Sequence, residues 1–160
     1  GFPAVAPMLV PSFRRENSRK YGFASSWSER HAAFVAGLGT FGLSDGLITP
    51  VGKAIRCGSV IVKISLEPTA RPYTDHRAYC LFFVDGSCSK CADRCPAGAI
   101  EKGCHDKVKC SAYIRQTALP IVKRDFNLDV NACGLCQVKV PCESGIPLQI
   151  RKGHSSKTDW

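Results

Sequence analysis

Cys88-Ser89-Lys90-Cys91-Ala92-Asp93-Arg94-Cys95-Pro96 is the stretch that decides how this chain is read. Cys88 and Cys91 stand about one helical turn apart and can grip one inorganic core, while Cys95, halted by Pro96, is thrown toward a different one. A second dense run, Cys133-Gly134-Leu135-Cys136 with Pro141-Cys142 behind it, supplies further thiols. Clustered thiols of this spacing point to iron–sulfur ligation.

Counting ligands sharpens that reading. Two [4Fe–4S] clusters need eight protein ligands, whereas one zinc ion needs four. The bacterial ferredoxin spacing, laid back from Cys95, asks for cysteines at 95, 91, 88 and 85, and position 85 is Asp. Either Asp85 or Cys80 can supply the odd ligand. Cys80 is favoured, because iron–sulfur sites select soft thiolate over carboxylate and Gly86 permits the tight turn that would bring Cys80 back. Cys110, Cys133, Cys136 and Cys142 complete the eight, and Cys57 and Cys104 remain outside the set.

Other uses of ten cysteines fit less well. A disulfide scaffold belongs to small secreted domains, and a chain that is 44% hydrophobic can build a core without staples. A zinc ribbon of Cys88, Cys91, Cys133 and Cys136 would leave Cys95, Cys110 and Cys142 without a role. Cys57 lies in Arg56-Cys57-Gly58-Ser59-Val60-Ile61-Val62, which reads as the start of a buried strand over 56–66 with Cys57 as a small core residue. Cys104, close to the cluster run, is the substitute candidate for Cys110.

The 160 residues carry a formal charge of +9. Eight thiolates around two cores of about +2 each would lower that +9 to about +5, which still favours an acidic partner or RNA. The local basic group Arg14, Arg15, Arg19 and Lys20 reads as a solvated face. No membrane span is expected, since the apolar opening from Phe2 to Pro11 is short and broken by Pro3 and Pro7. Arg14-Arg15 lacks the apolar stretch of a twin-arginine signal, so a cytoplasmic protein of an anaerobic or microaerobic source is expected. The start at Gly1 is what a processed or longer polypeptide would show.

Residues 1–25 read as irregular, with Ser26 and Glu29 as a capping box for a helix through Ala32–Ala36 ending at Gly37. Gly37-Leu38-Gly39-Thr40-Phe41-Gly42 is a literal GxGxxG. A helix precedes it and a turn follows, and no acidic residue stands about 20 positions on, so nicotinamide binding is not expected. Residues 68–72 mark a linker, and Asp106 is placed to cap a helix carrying Cys110 that Pro120 should stop. His31 reads as packed or exposed, and His76, His105 and His154 stand apart from one another, so a histidine metal site is not expected. Tyr79, Phe82, Phe83 and Tyr113 flank proposed ligands and are expected to exclude water from them. The end, from 151 to 160, reads as a polar tail.

The order CxxCxxxCP-Ala97-Gly98-Ala99-Ile100, then Cys110-Ser111-Ala112-Tyr113, then CxxC-Gln137 and a last cysteine, is similar to the C-terminal iron–sulfur region of the epoxyqueuosine reductase and reductive dehalogenase family. Glu29-Arg30-His31-Ala32-Ala33 with Ala36-Gly37-Leu38-Gly39 resembles the segment leading into a strand of that family's cobalamin domain. The resemblance covers about residues 28–147. It implies an α+β protein, with a ferredoxin-like two-[4Fe–4S] module over 72–150 following a partial nitroreductase-like α/β platform segment over 1–71. It implies a crossed ligand pattern, with Cys88, Cys91, Cys142 and Cys80 or Asp85 on one cluster and Cys95, Cys110, Cys133 and Cys136 on the other.

The expected function is that of an electron-transfer protein or subunit that passes low-potential electrons to a redox partner, an adjoining catalytic domain or an adjoining cofactor. The alternative is a cobalamin-dependent reductase of the epoxyqueuosine reductase or dehalogenase kind, with tRNA entering only as its substrate. Members of that family carry a longer N-terminal portion, and Tyr21-Gly22-Phe23-Ala24-Ser25-Ser26-Trp27-Ser28 holds no carboxylate to donate a proton. No catalytic or cobalamin-contacting residue is assigned.

Overall fold

The computed structural model describes residues 1–19, 22–101, 103–129 and 133–154. In chain order the elements are β1 (Ala4–Val5), β2 (Arg15–Ser18), β3 (Gly22–Ser25), α1 (Glu29–Val35), β4 (Thr40–Phe41), β5 (Leu47–Ile48) and β6 (Ile61–Val62). They continue with α2 (Leu81–Val84), α3 (Lys90–Asp93), β7 (Ile100–Glu101), β8 (Cys104–His105), α4 (Lys107–Tyr113), α5 (Leu119–Phe126) and α6 (Leu148–His154). The protein is mixed α+β, and among the described residues its strands form four two-stranded antiparallel sheets: β1 with β6, β2 with β3, β4 with β5, and β7 with β8.

The glycine run earns its place through packing. α1 ends at Gly37, whose φ of +82° and N–H to the Phe34 carbonyl make the left-handed stop that a side chain resists. Gly39 then passes so close to the Ile48 main chain that an added Cβ would collide with its carbonyl. The β4–β5 hairpin that follows turns at Gly42 to Gly46, with Asp45 at φ +56°. A helix precedes the glycines and a hairpin follows, so they serve a structural turn.

That hairpin reaches into the main core. Leu43 and Ile48 pack in one cluster with Tyr73, Leu81, Val140 and Ile150. Tyr73 adds a polar tie, its hydroxyl accepting from the Gly39 N–H at 3.2 Å and donating to the Phe34 carbonyl at 2.7 Å. Tyr79 donates its N–H to the buried Thr40 Oγ1 at 2.9 Å. Satisfied buried polar groups of this kind hold the hairpin in one position.

Several local expectations need correction. Residues 15–25 are not wholly irregular, because β2 and β3 pair from Arg15–Ser25 to Ser18–Gly22. The cap of α1 is Ser28, whose Oγ accepts from the His31 N–H, while Ser26 Oγ accepts from Arg14. The run over 56–66 is not a buried strand: only β6 forms, and Val60, Ile61 and Leu66 are exposed. β-branching favours extended backbone there, but no layer of the described chain covers it. Asp106 does cap α4, accepting from Val108 and Lys109 at 2.9 and 3.0 Å.

Pro120 does not end that helix. A π turn over Ile114–Ala118 intervenes, with the Leu119 N–H bonded to the Ile114 carbonyl, and α5 starts with Pro120 in its first turn, where a missing N–H costs little. The expected polar tail is helical through His154, and its remainder lies outside the described residues, as does Lys20 of the basic group. Among the described residues no helix is long and apolar enough to cross a membrane.

Candidate metal centre

Cys80, Cys88, Cys91 and Cys142 line one cavity with about 330 Å³ of empty space, part of it open to solvent. Each arrives from a different constraint. Cys80 is the N-cap of α2, and α2 ends on Gly86 at φ +74° with its N–H on the Leu81 carbonyl, the tight turn that returns the chain toward Cys88. Cys91 sits inside α3 on its buried side. Cys142 follows Val140 and Pro141 in the loop that closes the far wall.

Asp85 stands apart from this cavity. It is exposed, and its Oδ1 accepts from the Ser87 N–H at 2.9 Å; hydrogen bonds from Ser87 hold its carboxyl below the ordinary range. Between the two candidates for the odd ligand, the fold brings Cys80 to the other thiols and turns Asp85 to water.

The second set is held by α4 and the loop after residue 132. Cys110 rides on α4, and its thiol is raised by burial and further by Cys136, Cys95 and Cys133 nearby. Cys95 Sγ accepts the Ala99 N–H at 3.3 Å, and hydrogen bonds to sulfur are among the features that tune a cluster's potential. Cys133 precedes, and Cys136 lies within, a turn closed by the Gln137 N–H on the Gly134 carbonyl at 2.8 Å. Arg94 ties this turn to α3, its Nε donating to the Leu135 carbonyl at 3.0 Å. Cys95 and Cys136 pack against the same core cluster as Cys80, Cys88, Cys91 and Cys142, so the two sets adjoin.

Burial dominates at Cys91 and Cys142. Cys91 is pushed up to about 11 by loss of solvent, with Lys53 opposing and Cys80, Cys142 and Cys136 adding to the rise. Cys142 is raised for the same reason and opposed by the same lysine. Such thiols stay protonated at neutral pH unless a metal displaces their protons. Among the described residues no three His, Cys, Asp or Glu side chains converge tightly enough to chelate a single ion. The four cysteines of the first set line a shared cavity, and of the four cysteines of the zinc-ribbon reading only Cys88 and Cys91 line it.

Lys53 is the residue sequence reasoning missed. Only 2% exposed, it lines the first cavity, and its Nζ donates to Ser44 Oγ at 3.1 Å. Its place in Thr49-Pro50-Val51-Gly52-Lys53 carries the signature of an ordinary surface turn, and nothing in that pattern announces a buried cation. Of the aromatic residues expected at the ligands, Tyr79 lines the first cavity, while Phe82 and Phe83 pack edge to face at 5.1 Å against the core. Cys57 is half-buried and Cys104 exposed, and neither lines that cavity. His105 faces Asp45 at 3.3 Å.

Comparison with known proteins shows partial homology to epoxyqueuosine reductase. The chain is 35% identical to an epoxyqueuosine reductase of Bacillus anthracis over 124 residues, which is 74% of this chain and 30% of the relative. It is 34% identical to the corresponding protein of Bacillus cereus over the same share of each. The chain thus spans about a third of the length of the curated relatives it matches. No protein-family model and no solved structure matches it.

Proposed function

We propose that this chain holds two [4Fe–4S] clusters in a ferredoxin-like module over 72–150 and passes low-potential electrons to a partner protein or to an adjoining cofactor. The observation that carries the reading is the gathering of Cys80, Cys88, Cys91 and Cys142 around one cavity, although 62 positions separate the first from the last. Cys95, Cys110, Cys133 and Cys136 then fall to the second cluster. Cysteine content and partial homology to epoxyqueuosine reductase support the same reading.

When bound, such clusters supply one-electron storage at a potential set by charge, hydrogen bonding and burial. The chain's own residues do the rest. Tyr79, Leu43 and Ile48 line the first site, Cys95 takes an amide hydrogen bond, and Cys136 packs against the core cluster that holds Cys80 and Cys91. Residues 1–71, read as a platform, contribute the Gly37–Lys53 segment to the wall of the first site. A cobalamin-dependent reductase, with tRNA as its substrate, is the second reading, and it rests on the family resemblance of the sequence together with the partial homology to epoxyqueuosine reductase.

The deciding experiment is iron and sulfide analysis with a visible spectrum of the anaerobically reconstituted chain. About eight irons and eight sulfides with a broad charge-transfer shoulder are expected. A reproducible value near four irons, or one equivalent of zinc, would remove the two-cluster reading. Stoichiometric binding of added cobalamin, with turnover of an epoxyqueuosine-containing RNA or a halogenated aromatic, would move the function to the reductase.

A further inference from the structure

Lys53 poses a charge problem. Its side chain is 2% exposed, and among the described residues its ammonium has one hydrogen-bond partner, the neutral Ser44 hydroxyl, and no carboxylate within ion-pair distance. Lysine is almost never fully buried unless paired, because desolvating an ammonium costs several kcal/mol without a compensating charge. The fold nonetheless builds for it. Gly46 leaves the room its stem occupies, since an added Cβ there would meet Lys53 Cδ at 2.8 Å. The Lys53 N–H donates to the Cys142 and Glu143 carbonyls at 2.8 and 3.0 Å, which pins the residue to the cavity wall.

The compensating charge must come from the cavity the lysine lines, and the four cysteines there can supply it. Four thiolates around a 2+ core carry a net charge of about −2, and one added electron makes it about −3. We infer that Lys53 is the fixed counter-charge of the cluster held by Cys80, Cys88, Cys91 and Cys142, and that it raises the reduction potential of that cluster alone. The inference rests on the two-cluster reading. A buried positive charge favours the state with more negative charge, so it favours the reduced cluster. The cation beside the second set, Arg94, is only half-buried and is hydrogen-bonded to the Leu135 carbonyl, so water screens it far more than it screens Lys53.

The test compares wild type with Lys53→Met, Lys53→Gln and Lys53→Arg, all reconstituted anaerobically and titrated with dithionite under electron paramagnetic resonance. In Lys53→Met one midpoint should fall by about 59 mV, a tenfold change in the oxidised-to-reduced ratio of a one-electron couple, while the other stays put. Lys53→Arg should stay near wild type. If the neutral variants lose half the iron and Lys53→Arg keeps it, the requirement is for charge and the inference stands; equal loss in all three marks a packing role and overturns it. Wild type that takes up no iron overturns the parent reading along with the inference. Wild type with eight irons and neutral variants with unmoved midpoints overturn the inference alone.

Discussion

The main-chain N–H of Lys53 donates to the carbonyl of Cys142 at 2.8 Å, so the residue that brings a buried charge to the thiol cavity is joined by backbone to the cysteine that closes it. The Ala54 N–H extends the pairing to Glu143 at 3.1 Å. A turn ahead of Lys53 makes the approach possible: Thr49 Oγ1 donates to the Gly52 carbonyl at 2.9 Å, and Gly52 holds φ +97°.

Gly52→Ala should therefore be costly twice over. Its Cβ would fall on the main chain of Glu143 and Ser144, and a left-handed φ is strained for any residue with a side chain. Expected are a loss of about 2 kcal/mol or more in unfolding free energy and a fall from about eight irons toward four. Thermal unfolding and iron analysis of the reconstituted variant check both.

Cys80→Ser should lower the iron content or leave a three-iron form of one cluster, while Asp85→Asn should keep about eight irons. Asn at position 85 can still accept from Ser87, so the turn survives. The reverse pattern in iron analysis and low-temperature resonance spectra would make the carboxylate the ligand.

Cys57→Ala should retain both clusters and cost about 1 kcal/mol or less, because Cys57 is half-buried and stands outside the cavity of the first set. Iron content unchanged beside a small shift in the denaturation midpoint is the expected pair of results. Lost iron would give Cys57 a part in ligation.

At the β4–β5 turn, Asp45→Asn and Asp45→Ala separate charge from backbone. Asp45 holds φ +56°, which Asn tolerates and Ala resists, while its contact with His105 is partly solvent-exposed and so contributes little. Asn should cost under about 1 kcal/mol, and Ala about 1 kcal/mol more. Denaturant unfolding at neutral pH measures the difference; equal costs would place the effect in the charge.

What local sequence encodes was legible where the physics is local. CxxCxxxCP places Cys88 and Cys91 together because three residues make about one helical turn, and Gly86 permits the turn that returns the chain from Cys80 whatever else the chain does. The helix before Gly37 marked the glycine run as a turn, and Asp106 marked its own helix start. The run over 56–66 misled because β-branching dictates an extended backbone but not what covers it. Pro120 misled because a π turn in the preceding segment absorbs the break.

Ligand type and spacing, then, belong to the sequence, since thiolate softness and turn geometry act over a few residues. Which thiols share a cavity, and that Lys53 stands among them, was decided by tertiary structure. Bringing residue 53 to residue 142 takes a close main-chain approach that only Gly52 allows, and the burial of a lysine follows from where that approach puts it, not from its neighbours in the chain.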